Sequence, residues 1–431
     1  MQLIRNIIVW ILTWEARLVL KRYRPRVIAV TGNVGKTTTK DAIFAALSEH
    51  LYARKSQKSF NSEIGVPLTI LGLENAWHNP FHWLFNIARG LYLVVVKQEY
   101  PQWLILEVGA DRPGDIRSIA KWLRPDIAII TGVPEIPVHV EYFKSPEALL
   151  REKRALAEHL KPGGKLILNC DDPRMREVQS DFRGASVSYG FEPFNEYAAE
   201  MSEILYDDDG CPAGMRFRLQ HGGSSVPVAI LGALGRPRIY GALAALAVAD
   251  VCGIDIISAA ASLSTWEPPS GRMRILEGIR GSIIIDDTYN SSPAAVLSAL
   301  DTVKELHAKR KFAILGDMLE LGRYSIEAHR TVGERARECI NFLITVGFRA
   351  RAIGEAALDS GMRDEKIREY EFGESGRAGA ELAVDIKKGD VILVKGSQSM
   401  RMERAVYELM AHPENAKELL VRQDDEWLAK S

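Results

Sequence analysis

The stretch Val27-Ile28-Ala29-Val30-Thr31-Gly32-Asn33-Val34-Gly35-Lys36-Thr37-Thr38 leaves this chain few folds to choose from. Its β-branched run reads as a buried parallel strand, and the residues from Lys36 onward open a helix, with two glycines in the turn between. A strand that enters a helix this way belongs to a parallel sheet with helices packed on its faces. The turn aims backbone N–H groups and the helix N-terminus at one point, which stabilises an anion there. Lys36 adds an ammonium, and the Thr37 hydroxyl is a hard oxygen ligand for magnesium. Val30 stands where the usual pattern has its first glycine, so this is a shorter Thr-Gly-x-x-Gly-Lys-Thr form. The expected ligand is ATP, held by Thr31, Gly32, Asn33, Val34, Gly35, Lys36, Thr37 and Thr38.

Strand and helix signals alternate beyond the loop. Residues 103–109, 126–131 and 165–169 read as further buried strands, the first carrying Glu107 near its end. Residues 201–231 combine turn signals with alternation, as a small antiparallel excursion does, and an apolar helix spans Ile239 to Val251. After Trp266-Glu267-Pro268-Pro269-Ser270-Gly271-Arg272 the signals resume, with strands in 282–287, 312–317, 340–346 and 391–396. The expected fold class is α/β, in three parts. Residues 1–26 form an amphipathic or linker helix. Residues 27–267 form a central ATP-binding domain on a mainly parallel sheet, and 268–431 a Rossmann-like α/β domain without a phosphate loop. Two such domains sharing one loop place the chemistry in the cleft between them, at the carboxyl ends of the strands.

A net charge of −1 gives no field for nucleic acid. The four cysteines, Cys170, Cys211, Cys252 and Cys339, are scattered singly, which argues against a zinc site or a disulfide framework and fits a cytoplasmic protein. The apolar run from Ile7 to Leu12, bounded by Arg5, Glu15 and Arg17, is too short to span a membrane. It reads as part of an amphipathic helix with two open roles. One is packing on the protein's own nucleotide domain. The other is peripheral contact with anionic lipid through Lys21, Arg22, Arg24 and Arg26, with a second apolar stretch, Phe81 to Val96, beside it.

In the helix opened by Ser145-Pro146-Glu147, Leu149, Lys153, Leu156 and Leu160 fall on one apolar stripe. An inward lysine has two readings. It snorkels to the helix flank, or it serves as an amine whose pKa desolvation lowers. A neutral amine reacts with carbon dioxide to give a carbamate, which is an anionic metal ligand.

Taken in order, TGNVGKTTTK, FNSEIGVP, LEVGADRPGDI, the helix with Lys153, GRPRIYGALAA, GRM, IIDDTYNSSP, LGDMLELG and VKGSQSMRME resemble the Mur ligases of peptidoglycan synthesis. Within them the likeness is to the branch that adds D-alanyl-D-alanine, and it runs from about residue 12 to the end. The resemblance implies ATP-dependent amide formation through an acyl phosphate. A carboxylate acceptor such as a muramoyl peptide would be joined to an amino acid or dipeptide by a cytoplasmic monomer. It assigns Lys36, Glu107, His139 and Lys153 to catalysis. Thr37, Glu107, His139 and a carbamate on Lys153 would hold two Mg2+ ions. Lys153 follows His139 by fourteen residues, the family's own separation. Arg272 and Asp287 would reach the nucleotide, and Asn61, Glu63, Tyr289, Asn290, Lys395 and Ser397 the substrates.

The chain also departs from the family. Members of this branch begin with a domain for the UDP-sugar, whereas about thirty residues precede the loop here, and Ile11 to Tyr23 resembles the linker helix that follows that domain. Pro237-Arg238 and Gly241 replace a His-Asn pair and a further asparagine, so Arg238 is expected to stack on the base or to alter nucleotide preference. Two alternatives stand beside the resemblance, a polyglutamate or cyanophycin-like ligase and a non-catalytic nucleotide-binding scaffold derived from a ligase. Retention of Glu107, His139 and Lys153 argues against the scaffold.

Overall fold

The computed structural model describes residues 2–57, 60–77, 79–136 and 140–429. The chain opens with α1 (Gln2–Tyr23), β1 (Arg26–Thr31) and α2 (Lys36–Ser48). Next come β2 (Ala53–Lys55), α3 (Gly65–Leu71), α4 (Pro80–Val95), β3 (Trp103–Glu107), α5 (Asp115–Leu123) and β4 (Ile127–Ile130). They are followed by α6 (Pro146–Glu158), β5 (Lys165–Asn169), α7 (Pro173–Asp181) and β6 (Ala185–Gly190). Then come β7 (Tyr197–Tyr206), β8 (Pro212–His221), β9 (Ser224–Leu231), α8 (Arg236–Val251) and α9 (Ile256–Ser264). These strands make one sheet in the order β2-β3-β1-β4-β5-β6-β7-β8-β9, parallel as far as β7 and antiparallel beyond it. The antiparallel excursion expected for 201–231 is thus an extension of the main sheet.

A second sheet holds β10 (Arg274–Gly278), β11 (Ser282–Asp287), β12 (Arg310–Gly316), β13 (Phe342–Val346), β14 (Ile367–Tyr370) and β15 (Asp390–Lys395). Its order is β10-β11-β15-β12-β13-β14, with only β10 antiparallel to its neighbour. Helix α10 (Pro293–Glu305) follows β11, started by the Ser292 hydroxyl accepting from Ala295 N and by Pro293 in the first turn.

Alternation along β1 divides the first sheet's core in two. Ile28 and Val30 pack with α2 and α8, while Val27 and Ala29 pack with α1, α3, α5 and α6. Helix α1 therefore packs on the first sheet, burying Leu12, Ala16 and Val19. The same helix exposes Trp10 and Trp14 on its other side. No described helix is long and apolar enough to cross a membrane.

Where α1 meets α4, the Glu15 carboxylate is fully buried, and neither oxygen has a hydrogen-bond partner among the described residues. A Cβ on Gly90 of α4 would stand 2.1 Å from Glu15 Oε2, so the glycine makes room for the carboxylate. Burial pushes the Glu15 pKa from 4.5 up to about 7. Because the folded-state value lies above the unfolded one, the native state binds more protons between pH 4.5 and 7. Stability therefore falls as pH rises through that window and stays lowered above it. Glu15→Gln should remove this penalty, on the order of 3 kcal/mol at pH 8 and nearly nothing at pH 4. Urea unfolding of both proteins at the two pH values measures it, and an equal difference at both would refute the assignment.

Candidate active site

The phosphate loop takes its shape from two backbone positions. Gly32 has φ of 144°, and a Cβ there would come within 2.0 Å of Thr131 Oγ1 on the β4 side. Gly35 has φ of 84° at the start of α2, with open space where a Cβ would point. From Asn33 to Thr38 the loop residues line a cleft of about 390 Å³. Thr31 lies behind it, fully buried in the sheet. Lys36 Nζ is 3.1 Å from the Gly32 carbonyl and 3.4 Å from that of Asn33. Burial lowers its pKa, Glu107 opposes that effect and Arg272 reinforces it.

Parallel pairing sets Glu107 opposite Val30, so the end of β3 delivers a carboxylate to the base of the loop. Glu107 is buried, accepting from Thr37 Oγ1 and from Asn61 Nδ2, each at 2.9 Å. Arg272, from the segment that enters the second sheet, approaches the same hydroxyl, its Nη2 lying 3.3 Å from Thr37 Oγ1. Its guanidinium stacks 4.0 Å from the centre of the Tyr289 ring.

The second sheet supplies the opposite wall. Register pairs Asp287 of β11 with Lys395 of β15, and the two form a buried ion pair of 2.6 Å. Lys395 also donates to the Asn290 carbonyl at 3.0 Å, and Asp287 accepts from Met273 N at 3.2 Å. The two adjacent aspartates divide their work. Asp286 is structural, accepting from Gly271 N and from the N–H and hydroxyl of Thr288, and burial raises its pKa to about 6. Asp287 faces the cleft together with Tyr289, Asn290 and Lys395.

Lys153 is 1 % exposed, so the snorkelling reading does not hold. Its pKa is lowered from 10.5 to about 7, first by burial and then by the like charge of Lys36, against the pull of Glu152, Asp111 and Asp115. Glu152 itself accepts from Gly114 N and Arg117 N, both at 3.0 Å, and so caps α5. Sequence reasoning passed over that residue because an acid beside Lys153 on a helix reads as solvated. Asp111, which lines the cleft, was also missed, although it stands four residues after Glu107 in the same block.

Other expected residues fall elsewhere. His139 lies outside the described residues. Glu63 is exposed and pairs with Arg5 of α1 at 3.1 Å, not with the cleft. Ser397 is buried and accepts from Leu319 N at 2.9 Å, which gives it a positioning role under the cleft wall. Arg238 lines the cleft yet is 1 % exposed, with its guanidinium 3.3 Å from the centre of the Trp266 ring. Its aromatic partner is thus supplied by the protein. Its three guanidinium nitrogens have no hydrogen-bond partner among the described residues, and burial lowers its pKa to about 9.

Among the described residues no group of three or more His, Cys, Asp or Glu is placed to hold a metal. The donors that do converge, the Thr37 hydroxyl and the Glu107 carboxylate, are oxygens, and that set fits Mg2+ better than a transition metal.

Comparison with known proteins bears on the whole arrangement. Two family models match, the Mur ligase middle domain over residues 86–249 and the Mur ligase glutamate ligase domain over 271–398. The UDP-N-acetylmuramoyl-tripeptide–D-alanyl-D-alanine ligase of Bacillus subtilis is 29% identical over 400 residues, covering 92% of this chain and 79% of its own length. The enzyme of the same name from Synechocystis is 29% identical, over 91% of this chain and 76% of its own. The crystal structure of MurF ligase from Thermotoga maritima in complex with ADP superposes with a TM-score of 0.76 at 25% identity, covering 93% of this chain and 83% of that one. With both models matched in order on the two halves that face each other across the cleft, the chain belongs to the Mur ligase family.

Proposed function

We propose that this protein is an ATP-dependent, ADP-forming ligase that makes an amide bond in peptidoglycan precursor synthesis, adding D-alanyl-D-alanine or a related amine to a carboxylate acceptor. One observation carries the reading. A single cleft brings Lys36, Thr37 and Glu107 from one sheet against Arg272 and the Asp287–Lys395 pair from the other. Relatives that align over nine-tenths of the chain bear the name of that ligase.

When bound, ATP supplies the phosphoryl group that converts the acceptor carboxylate to an acyl phosphate, and two Mg2+ ions screen the two anions from each other. The chain's own residues do the rest. The loop N–H groups and Lys36 hold the phosphates and stabilise the charge that develops on them. Thr37 and Glu107 would hold Mg2+ from the first sheet, and His139 with a carbamate on Lys153 would complete the set. A lysine whose pKa stands near 7 is substantially neutral in the cytoplasm, and its free amine can add to carbon dioxide with loss of one proton. Arg272 binds phosphate oxygen and couples the unit 268–431 to the unit 27–267. Lys395, Tyr289 and Asn290 position the amine near the acyl carbon, and closure of the two units excludes water from the acyl phosphate.

A second opening of about 750 Å³, lined by Ser62, Lys55, Arg272, Tyr289 and Trp427, meets the nucleotide cleft at Arg272. We assign it to the acceptor. Phosphate release should depend jointly on ATP, Mg2+, a muramoyl tripeptide acceptor and D-alanyl-D-alanine. A panel that includes free peptides, polyglutamate and UDP-linked muramoyl peptides identifies the acceptor. Turnover with polyglutamate and none with muramoyl peptides would place the enzyme in the other branch of the family.

A further inference from the structure

Helix α4 is built inside out. Its fully buried residues are Asn86, whose Nδ2 donates to the Glu74 carbonyl at 2.8 Å, and Gly90, which faces Glu15. Its outer side carries Phe81 at 83 % exposure, Val95 at 72 %, Leu84 at 66 % and Phe85 at 58 %. These positions recur at helical spacing, so they form one stripe along the helix. On the neighbouring α1, Trp10 and Trp14 are exposed opposite the buried Leu12, Ala16 and Val19. The C-terminal ends of the two helices are tied together, since the Tyr23 hydroxyl donates to the carbonyls of Leu93 and Val96 and accepts from Gln98 N. That end carries Lys21, Arg22, Arg24 and Lys97, all exposed, against a single exposed acid, Glu99.

We infer that the outer face of α1 and α4 is a membrane-docking surface that lies in the headgroup layer of an anionic bilayer. Three observations choose that occupant. The exposed side chains are tryptophan, phenylalanine, leucine and valine, which suit the boundary between headgroup and acyl chain. A basic cluster stands at one end of the stripe in a chain whose net charge is only −1, so the positive charge is local and complements anionic lipid. Neither helix is long and apolar enough to cross, so the pair rests on the surface and does not span it. The buried Asn86 and the close contact of Gly90 with Glu15 keep α4 anchored to the protein while its apolar side stays available. The inference is independent of the ligase chemistry, and it makes α4, not the start of α1, the principal inserting element.

Sedimentation of the full chain with vesicles of phosphatidylcholine, with and without one quarter phosphatidylglycerol, tests it. Binding should be at least tenfold stronger to the anionic vesicles and should weaken when salt is raised. The triple variant Phe81→Ser/Leu84→Ser/Phe85→Ser changes only partly or fully exposed side chains. It should keep the parental melting temperature and phosphate-release activity while losing at least tenfold in vesicle binding. Lys21→Glu/Arg22→Glu should abolish the preference for anionic lipid. Tryptophan emission of the parent should shift to the blue on adding anionic vesicles. Absence of vesicle binding by the parent, or undiminished binding by the triple variant, would overturn the proposal. So would a parental dimer that the triple variant breaks in analytical ultracentrifugation without any vesicle binding, because the face would then belong to a second copy.

Discussion

Lys36→Ala should lower the rate of ADP formation at least a hundredfold, about 2.7 kcal/mol of transition-state stabilisation. The ammonium is the one full positive charge that the loop itself contributes, and Arg272, 3.3 Å from the Thr37 hydroxyl, approaches from the other unit. The loss should fall on turnover and not on folding. Burial already disfavours the charged form of Lys36, so its removal should leave the melting temperature unchanged or slightly raised. Steady-state kinetics and a thermal melt on the same preparation separate the two effects. A variant that ligates at the parental rate would show that the loop does not hold the phosphates.

Lys153→Ala should be of comparable severity. An unperturbed lysine at pH 7 is neutral in only a few hundredths of a per cent of molecules, whereas a pKa near 7 makes about half of them reactive toward carbon dioxide. Incubation with 13C-bicarbonate should give a carbamate carbon signal in the parent that the variant lacks. The variant should lose about a hundredfold or more in activity and regain part of it with a short carboxylate such as acetate, which fits the space left and restores an oxygen ligand. Full activity in Lys153→Ala would reduce the lysine to a packing element.

The inner strands of both sheets were legible because they are buried on both faces and so are written in unbroken apolar runs, as in Trp103–Glu107 and Val391–Val394. The strands that escaped are of two kinds. β2, β10 and β14 are short or lie at sheet edges, where Ala53-Arg54-Lys55 and Ile367-Arg368-Glu369-Tyr370 carry the charges an edge tolerates. β6 is internal but reads Ala-Ser-Val-Ser-Tyr-Gly, and its serines conceal the strand by pairing locally, Ser188 accepting from Glu196 N. At the site, Lys36, Thr37 and Glu107 were readable from local pattern alone, since one strand and one loop place them. The orientation of Ser397 and Glu63, both expected at the substrates, was illegible for a different reason. Whether a polar side chain turns toward a cleft or toward a neighbouring backbone N–H is decided by contacts distant in sequence, here Leu319 and Arg5.

Helices α2 and α8 lie so close that a Cβ on Gly241 would stand 3.1 Å from Thr38 Cγ2. Thr38 belongs to the first turn after the phosphate loop and lines the nucleotide cleft. Any larger residue at position 241 therefore acts as a wedge on the helix that carries Lys36. In this protein the packing of α8 against α2 and the seat of the phosphates are not separate dials. Enlarging the residue at this crossing would press on the first turn of α2, so a change made on α8 for any other purpose should bring altered phosphate affinity with it.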